Sequence, residues 1–168
     1  MQFSHNLIVL IHVLAAILWL GGMFFIGLVM VPVLRDMEPP QKRIEVLSSA
    51  AKRFRILSWI AIPVLLITGV LNTVNRGVTL ETISNGSLFL SHFGKILTIK
   101  VAIVLIMLIL GAIHDFLLGP RLTKIMTGTD LSIYDPEKIE SYRRYVSWLA
   151  RFNALFGISV VALAVMLS

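Results

Sequence analysis

The sequence predicts an all-α protein, a transmembrane four-helix bundle, on three observations. Of its 168 residues, 57% are hydrophobic and only 14% are charged, against about 25% charged residues in soluble proteins. The apolar residues fall into four long runs, each near or above the ~20 residues that cross a bilayer as a helix. No run alternates between polar and apolar residues, as the strands of a membrane barrel would. We therefore expect one integral membrane domain, residues 1–168, embedded in a lipid bilayer.

The first run, about residues 6–34, contains no charged residue but holds one histidine, His12, well inside it. Residues seven, eleven or eighteen positions apart share a face of an α-helix. One face therefore carries the candidate ligands of this run: His5, His12, Trp19, Met23 and Met30. Because ionisable side chains are costly within a bilayer, His12 is a candidate for function. Gly21 and Gly22 flank this face and would let a second helix approach closely.

Three further runs complete the bundle and cover about residues 55–75, 93–118 and 146–167. The third run carries Lys100 in its first half and the pair His114-Asp115 near its end. Charged side chains avoid lipid, so these residues are expected to face the bundle. We expect Asp115 to form an ion pair with Arg151, near the start of the fourth run.

The charges of the connections predict the orientation. Loops 35–54 and 119–145 are rich in Lys and Arg. The connection 76–92 contains a single basic residue of these types, Arg76. Basic loops face the cytoplasm. We expect both basic loops inside and both termini outside, in a multi-pass protein of the bacterial plasma (inner) membrane. The net charge of +6 arises at these span ends, and it does not indicate a nucleic-acid partner.

Both basic loops are expected to contain helix that continues into the next run. Pro39-Pro40 breaks the chain, and the basic segment that follows, QKRIEVLSSAAKRFRI, is typical of an amphipathic helix. In the second loop, Asp135 before Pro136 is a start signal, because Asp is a good N-cap and Pro is favoured at the first helical position.

His12 and Lys100 are expected at nearly the same depth. At about 1.5 Å per residue, His12 lies about 10 Å inward from His5, and Lys100 lies about 12 Å inward from His92. Residues of the other two runs reach a similar level. This predicts one polar layer made of His12, Lys100, Thr68 and Ser159.

A histidine level with a second nitrogen ligand in a helix bundle suits haem, because haem iron is commonly held by His and bundle cores hold such cofactors. We expect haem b with His12 and Lys100 as axial ligands, His5 or His92 as the alternative to Lys100, and Trp19 beside the cofactor. The protein would then be a membrane redox protein, either an electron carrier or a porphyrin- or quinone-linked oxidase. Whether it is an enzyme stays open.

Copper is the alternative. His and Met side chains suit a copper ion in a site without thiolate, and the chain has no cysteine. A ladder of donors down the first run would then bind copper ions: His5, His12, Met23 and Met30. A third option is a purely structural role for the histidines. A His12 ring bonded only to a neighbouring hydroxyl would argue against a coordinated cofactor.

Each run also contains one distinctive segment: IHVLAAILWLGGMFF, LSWIAIPVLLITGVLN, KVAIVLIMLILGAIHDFLLGPR and LARFNALFGISVVALAV. Together they resemble the small CopD-like (copper resistance D) family of four-helix membrane proteins. That family is remotely similar to the HemJ-type protoporphyrinogen oxidase, a haem b membrane protein. The HemJ resemblance implies a first-helix His and a third-helix Lys as haem ligands, at His12 and Lys100. The copper name implies copper uptake or tolerance. A homodimer through the glycine-bearing faces is a further expectation.

Overall fold

The computed structural model describes residues 2–128 and 135–167, and these residues form helices without β-strands. Four long helices dominate: α1 (Gln2–Phe25), α2 (Pro40–Asn75), α3 (His92–Ala112) and α4 (Pro136–Met166). The predicted all-α class is confirmed. With their extensions, all four are long and apolar enough to cross a membrane, and the four predicted runs fall on them. Residues 129–134 of the predicted loop 119–145 lie outside the described residues.

Helices α1 and α3 both pass into a π-helical segment at the same end of the bundle. Ile26–Met30 follows α1, and Ile113–Leu118 follows α3. A π segment is wider than an α-helix, so the side chains along it and beyond it are displaced around the axis. Met30, the last residue of its segment, therefore does not keep the alignment with Met23 that α-helical spacing predicts.

Short elements make the remaining connections: Val31–Val33, the 3-10 turn Leu34–Asp36, Leu80–Ser84, Ser87–Leu90 and Gly119–Met126. We call the end of the bundle with residues 34–39 and 119–126 the basic end, and the end with residues 76–91 the opposite end. That the basic end faces the cytoplasm stays a prediction.

Both predicted helix starts are present. Helix α2 begins at Pro40, directly after the Pro39 break, and continues without interruption into the second apolar run. Helix α4 begins at Pro136, where the Asp135 carboxylate accepts a hydrogen bond of 3.0 Å from the Glu137 N–H. This bond satisfies one of the backbone donors that a helix start leaves without a partner.

The helices pack as two pairs. Helix α1 lies along α2, α3 lies along α4, and α1 also contacts α4. Few side chains are buried between them, and Met107 is the largest that is fully buried. Large apolar residues cover the outside instead, among them Leu14, Ile60 and Ile109. An outer surface of this kind suits lipid, since contiguous apolar surface is rare on soluble monomers.

Gly22 allows α1 and α2 to approach closely. The ring of Phe54 occupies the position that a side chain at Gly22 would take, whereas a Cβ added at Gly21 meets no atom within 4 Å. The predicted role of these glycines therefore holds for Gly22 and not for Gly21. Close helix approach at a small residue is the usual source of packing energy between membrane helices.

This difference predicts unequal effects of two neighbouring substitutions. We expect Gly22→Ala to lower stability by about 1–3 kcal/mol, because the Phe54 ring must move to make room for the methyl group. Gly21→Ala is the matched control and should not destabilise, since alanine favours the helix by about 0.5–1 kcal/mol over glycine. Thermal unfolding in detergent, followed by circular dichroism, measures both. Equal melting temperatures would show that Phe54 does not fix the contact.

Candidate functional site

His12 joins α1 to α2 through Thr68. Its Nδ1 lies 2.8 Å from the Thr68 hydroxyl oxygen, and Thr68 is buried. The next residue on α2 is Gly69, where an added Cβ would lie 3.5 Å from Cε1 of His12. The imidazole therefore lies directly against α2, in van der Waals contact with Gly69.

The hydrogen bonds of Thr68 determine which nitrogen of His12 carries the proton. The Thr68 hydroxyl donates to the Val64 carbonyl at 2.6 Å. A hydroxyl has one proton to donate, so its oxygen must accept from His12 Nδ1. The Leu65 carbonyl of the same helix is a further acceptor near the ring. In the neutral ring, Nδ1 is thus the donor, and Nε2 keeps the lone pair that can bind a metal ion.

The predicted polar layer is only partly present. Lys100, on α3, is half-buried and close enough for its charge to interact with His12 and with Arg76. Ser159 does not belong to the layer. It is exposed on α4, and its hydroxyl donates to the Leu155 carbonyl of its own helix at 3.1 Å. The nearby Gly157 lies beside Leu20 and Met23, which follow His12 by eight and eleven residues, or about 12–16 Å along a helix. The predicted position of Ser159 is therefore wrong both in depth and in direction.

The other candidate haem residues are dispersed. The His5 ring lies 3.4 Å from the side-chain amide of Asn75, at the opposite end of the bundle. His92 is exposed at the start of α3, and Trp19 is half-buried on α1. None of these contacts joins the His12–Thr68 pair.

The surroundings of His12 give no support to haem. The ring packs on Gly69 and its Nδ1 bonds to a hydroxyl. Two hollows among the described residues lie near Ser49 and near Arg121, and neither is lined by His12 or Lys100. Haem b, and the quinone and porphyrin partners expected with it, therefore have no support in this structure. The expected homodimer stays a prediction.

Met23 faces the interior and contacts α4, whereas His12 contacts α2. The Asn153 amide of α4 lies 3.9 Å from the Met23 sulfur, and the Met23 methyl group lies beside Gly157. Met30 is half-buried in the π segment. No three His, Asp or Glu side chains within residues 2–128 and 135–167 come close enough to form a metal-binding group.

A second polar cluster lies near the basic end, around Asp115. Arg55 donates to the Asp115 carbonyl at 2.7 Å, the Trp59 indole donates to its carboxylate at 3.3 Å, and the His114 ring lies 3.1 Å from the other carboxylate oxygen. The predicted Asp115–Arg151 ion pair is wrong. The Arg151 guanidinium lies over the Trp148 ring of its own helix instead, 5.1 Å from the ring centre.

Comparison with known proteins decides the family. The family model described as Copper resistance protein D matches residues 48–167, which run from within α2 to the end of α4. The chain belongs to the Copper resistance protein D family. The predicted CopD-like resemblance is thereby confirmed, whereas a similarity to the HemJ type is not shown.

A second comparison covers nearly the whole chain. The present chain is 26% identical over 166 residues to an uncharacterized protein of Aquifex aeolicus (strain VF5). The match covers 98% of the present chain and 96% of that protein. No solved structure matches significantly.

The tautomer of His12 in this CopD-family protein is directly testable. We expect the nitrogen chemical shifts of the neutral imidazole to show protonation at Nδ1 in wild type. Thr68→Val removes the acceptor and should shift the population toward the Nε2-protonated form. Thr73→Val is the matched control, because the Thr73 hydroxyl donates to the Gly69 carbonyl of its own helix rather than bonding to His12. An unchanged His12 signal in Thr68→Val would contradict the assignment.

The Asp115 cluster predicts a loss of stability in a second variant. We expect Asp115→Asn to lower stability by about 1–3 kcal/mol, because a charged acceptor of two side-chain hydrogen bonds is replaced by a neutral amide. Asp36→Asn, at an exposed position, should leave stability unchanged. The thermal unfolding assay described above applies here. A similar melting temperature for the two variants would show that the cluster does not hold α2 to the extension of α3.

Proposed function

We propose that the protein binds copper ions within the membrane and carries them along the inward face of α1. The observation that carries this proposal is the match of the Copper resistance protein D family over residues 48–167. Among the cofactors that the sequence leaves open, the family favours copper, and the surroundings of His12 give haem no support. The copper alternative is thus preferred over the haem hypothesis.

The donors of α1 lie where an ion between the helices could reach them. His5 and His12 contact residues of α2, and Met23 contacts residues of α4. Three of the four predicted ladder residues therefore face other helices. An ion moving along this face would meet imidazole nitrogen first and thioether sulfur further inward, and both are suitable ligands for copper.

Thr68 supports His12 in this role. A metal-binding histidine normally donates its other ring N–H to a neighbouring acceptor, which fixes the tautomer and the orientation of the ring. The Thr68 oxygen, 2.8 Å from Nδ1, supplies that acceptor and leaves Nε2 as the ligand.

The sparse donor set suits passage better than storage. No three of the strong oxygen and nitrogen donors come together in the described part of the chain, so a closed, tightly binding cage is not formed there. An ion that is to be released on the far side must be bound weakly enough to leave each site. A path with few ligands per position satisfies this condition.

The proposal is tested on the full-length protein purified in detergent. We expect a preparation without a Soret band that binds added copper ions, measured by metal analysis after desalting. His12→Ala should weaken the binding of Cu(II) at least tenfold, because it removes the imidazole ligand. His92→Ala is the control for losing an exposed histidine and should bind as wild type does.

Two results would overturn the proposal. A Soret band that disappears in His12→Ala would establish haem as the cofactor. A colourless preparation that binds no copper above the background of empty detergent micelles would leave the histidines with a structural role.

A further inference from the structure

Two methionine side chains from different helices converge on one glycine of α4. Met23 of α1 and Met107 of α3 both approach Gly157, and a Cβ added there would lie 3.4 Å from the Met23 methyl carbon and 3.5 Å from the Met107 methyl carbon. Met107 is fully buried, with no measurable exposure. Both distances are ordinary van der Waals contacts, whereas Leu20 lies closer, at 3.0 Å. The two methionine methyl groups therefore meet at Gly157, between three helices.

Asn153 places a polar group against this pair. Its amide nitrogen lies 3.9 Å from the Met23 sulfur, within the range of an N–H···S hydrogen bond. Its amide oxygen is buried and accepts no hydrogen bond from any residue that the structure describes. One turn of α4 separates Asn153 from Gly157, so the amide and the two methionines occupy the same side of that helix.

The buried amide of Asn153 favours a binding site here over methionines that only fill space. Methionine often does no more than fill space in a core, and Leu20 also contacts Gly157. A polar side chain is not needed to fill space, however, and an amide oxygen buried without a donor destabilises the fold. A cation beside that oxygen would add the interaction that the described residues lack.

We propose that Met23 and Met107 form a binding site for Cu(I), with Asn153 positioning the Met23 sulfur. Soft thioether ligands select Cu(I) among the metal ions available to a cell, and Cu(I) accepts low coordination numbers. The methionine side chain has three flexible torsions, so both sulfurs can turn toward a shared ion without movement of the helices. This inference rests on the proposed copper function and specifies the oxidation state and a second site.

The Cu(I) site is distinct from His12. Met23 follows His12 by eleven residues, which is about 16 Å along a helix axis, too far for one ion to bind both. The two sites also differ in kind, since imidazole serves several metals whereas paired thioethers are selective. Loss of one site should therefore leave the other intact.

The test measures Cu(I) bound to the purified full-length protein under anaerobic conditions, in competition with a chromophoric Cu(I) chelator. The double variant Met23→Leu with Met107→Leu keeps the side-chain volume and the apolar character, a type of exchange that cores tolerate well. We expect it to lose one Cu(I) per chain, or to bind that ion at least tenfold more weakly. Met166→Leu, at an exposed methionine, is the matched control and should bind as wild type does. His12→Ala should retain the thioether-bound Cu(I).

Copper X-ray absorption of the His12→Ala protein loaded with one Cu(I) gives an answer that needs no folded double variant. We expect sulfur in the first coordination shell. Only nitrogen or oxygen neighbours, or wild-type Cu(I) binding in the double variant, would overturn the thioether site while the proposed copper function stands. If the wild-type protein binds no copper in either oxidation state, both proposals fail.

Discussion

The contact of α1 with α2 at Thr68 and Gly69 is the constraint on which the interior depends. A bilayer offers no water to polar side chains, so a histidine about 10 Å inside must find its partner on another helix. Thr68 provides that partner at 2.8 Å, and Gly69 provides the space beside it. Because the ring is held between these two residues, the rotation of α1 about its own axis is fixed relative to α2.

Once that rotation is fixed, the remaining donors of α1 have determined directions. Gly22 receives the Phe54 ring of α2, and Met23, one residue later, points toward α4 instead. The same helix therefore presents nitrogen to α2 and sulfur to α4. This division explains why the donors do not gather into one cage. It also agrees with a family described by copper resistance.

The two ends of the bundle are held by different interactions. At the basic end, Arg55 and Trp59 of α2 bind Asp115 in the π segment after α3. The Trp59 and Phe116 rings also contact each other in a tilted arrangement, with 5.2 Å between the ring centres. At the opposite end, Arg76 donates to the Leu167 carbonyl and lies over the Phe93 ring. Contacts at each end thus hold α2 against the α3–α4 pair. The middle of the bundle, where few side chains are buried, holds them together less strongly.

The sequence by itself determined the features that depend on local chemistry. The apolar runs predicted four membrane-spanning helices, because a bilayer requires such lengths of apolar residues. Pro40 and Asp135 predicted two helix starts, because a cap or a proline acts within one turn. The spacing of His12 and Met23 predicted that both lie on the inward side of α1, since α-helical periodicity holds up to Phe25.

Only the tertiary structure decided how the helices are rotated toward one another. Ser159 lies outside the predicted layer and faces outward, Asp115 pairs with Trp59 rather than Arg151, and Met107 with Asn153 was not predicted to meet Met23. The π segments also change the directions of later side chains, because they rotate those side chains around the helix axis away from the positions that α-helical spacing predicts. Rotation is set by the sum of many contacts between helices, and a sequence pattern records the faces of each helix but not which face meets which.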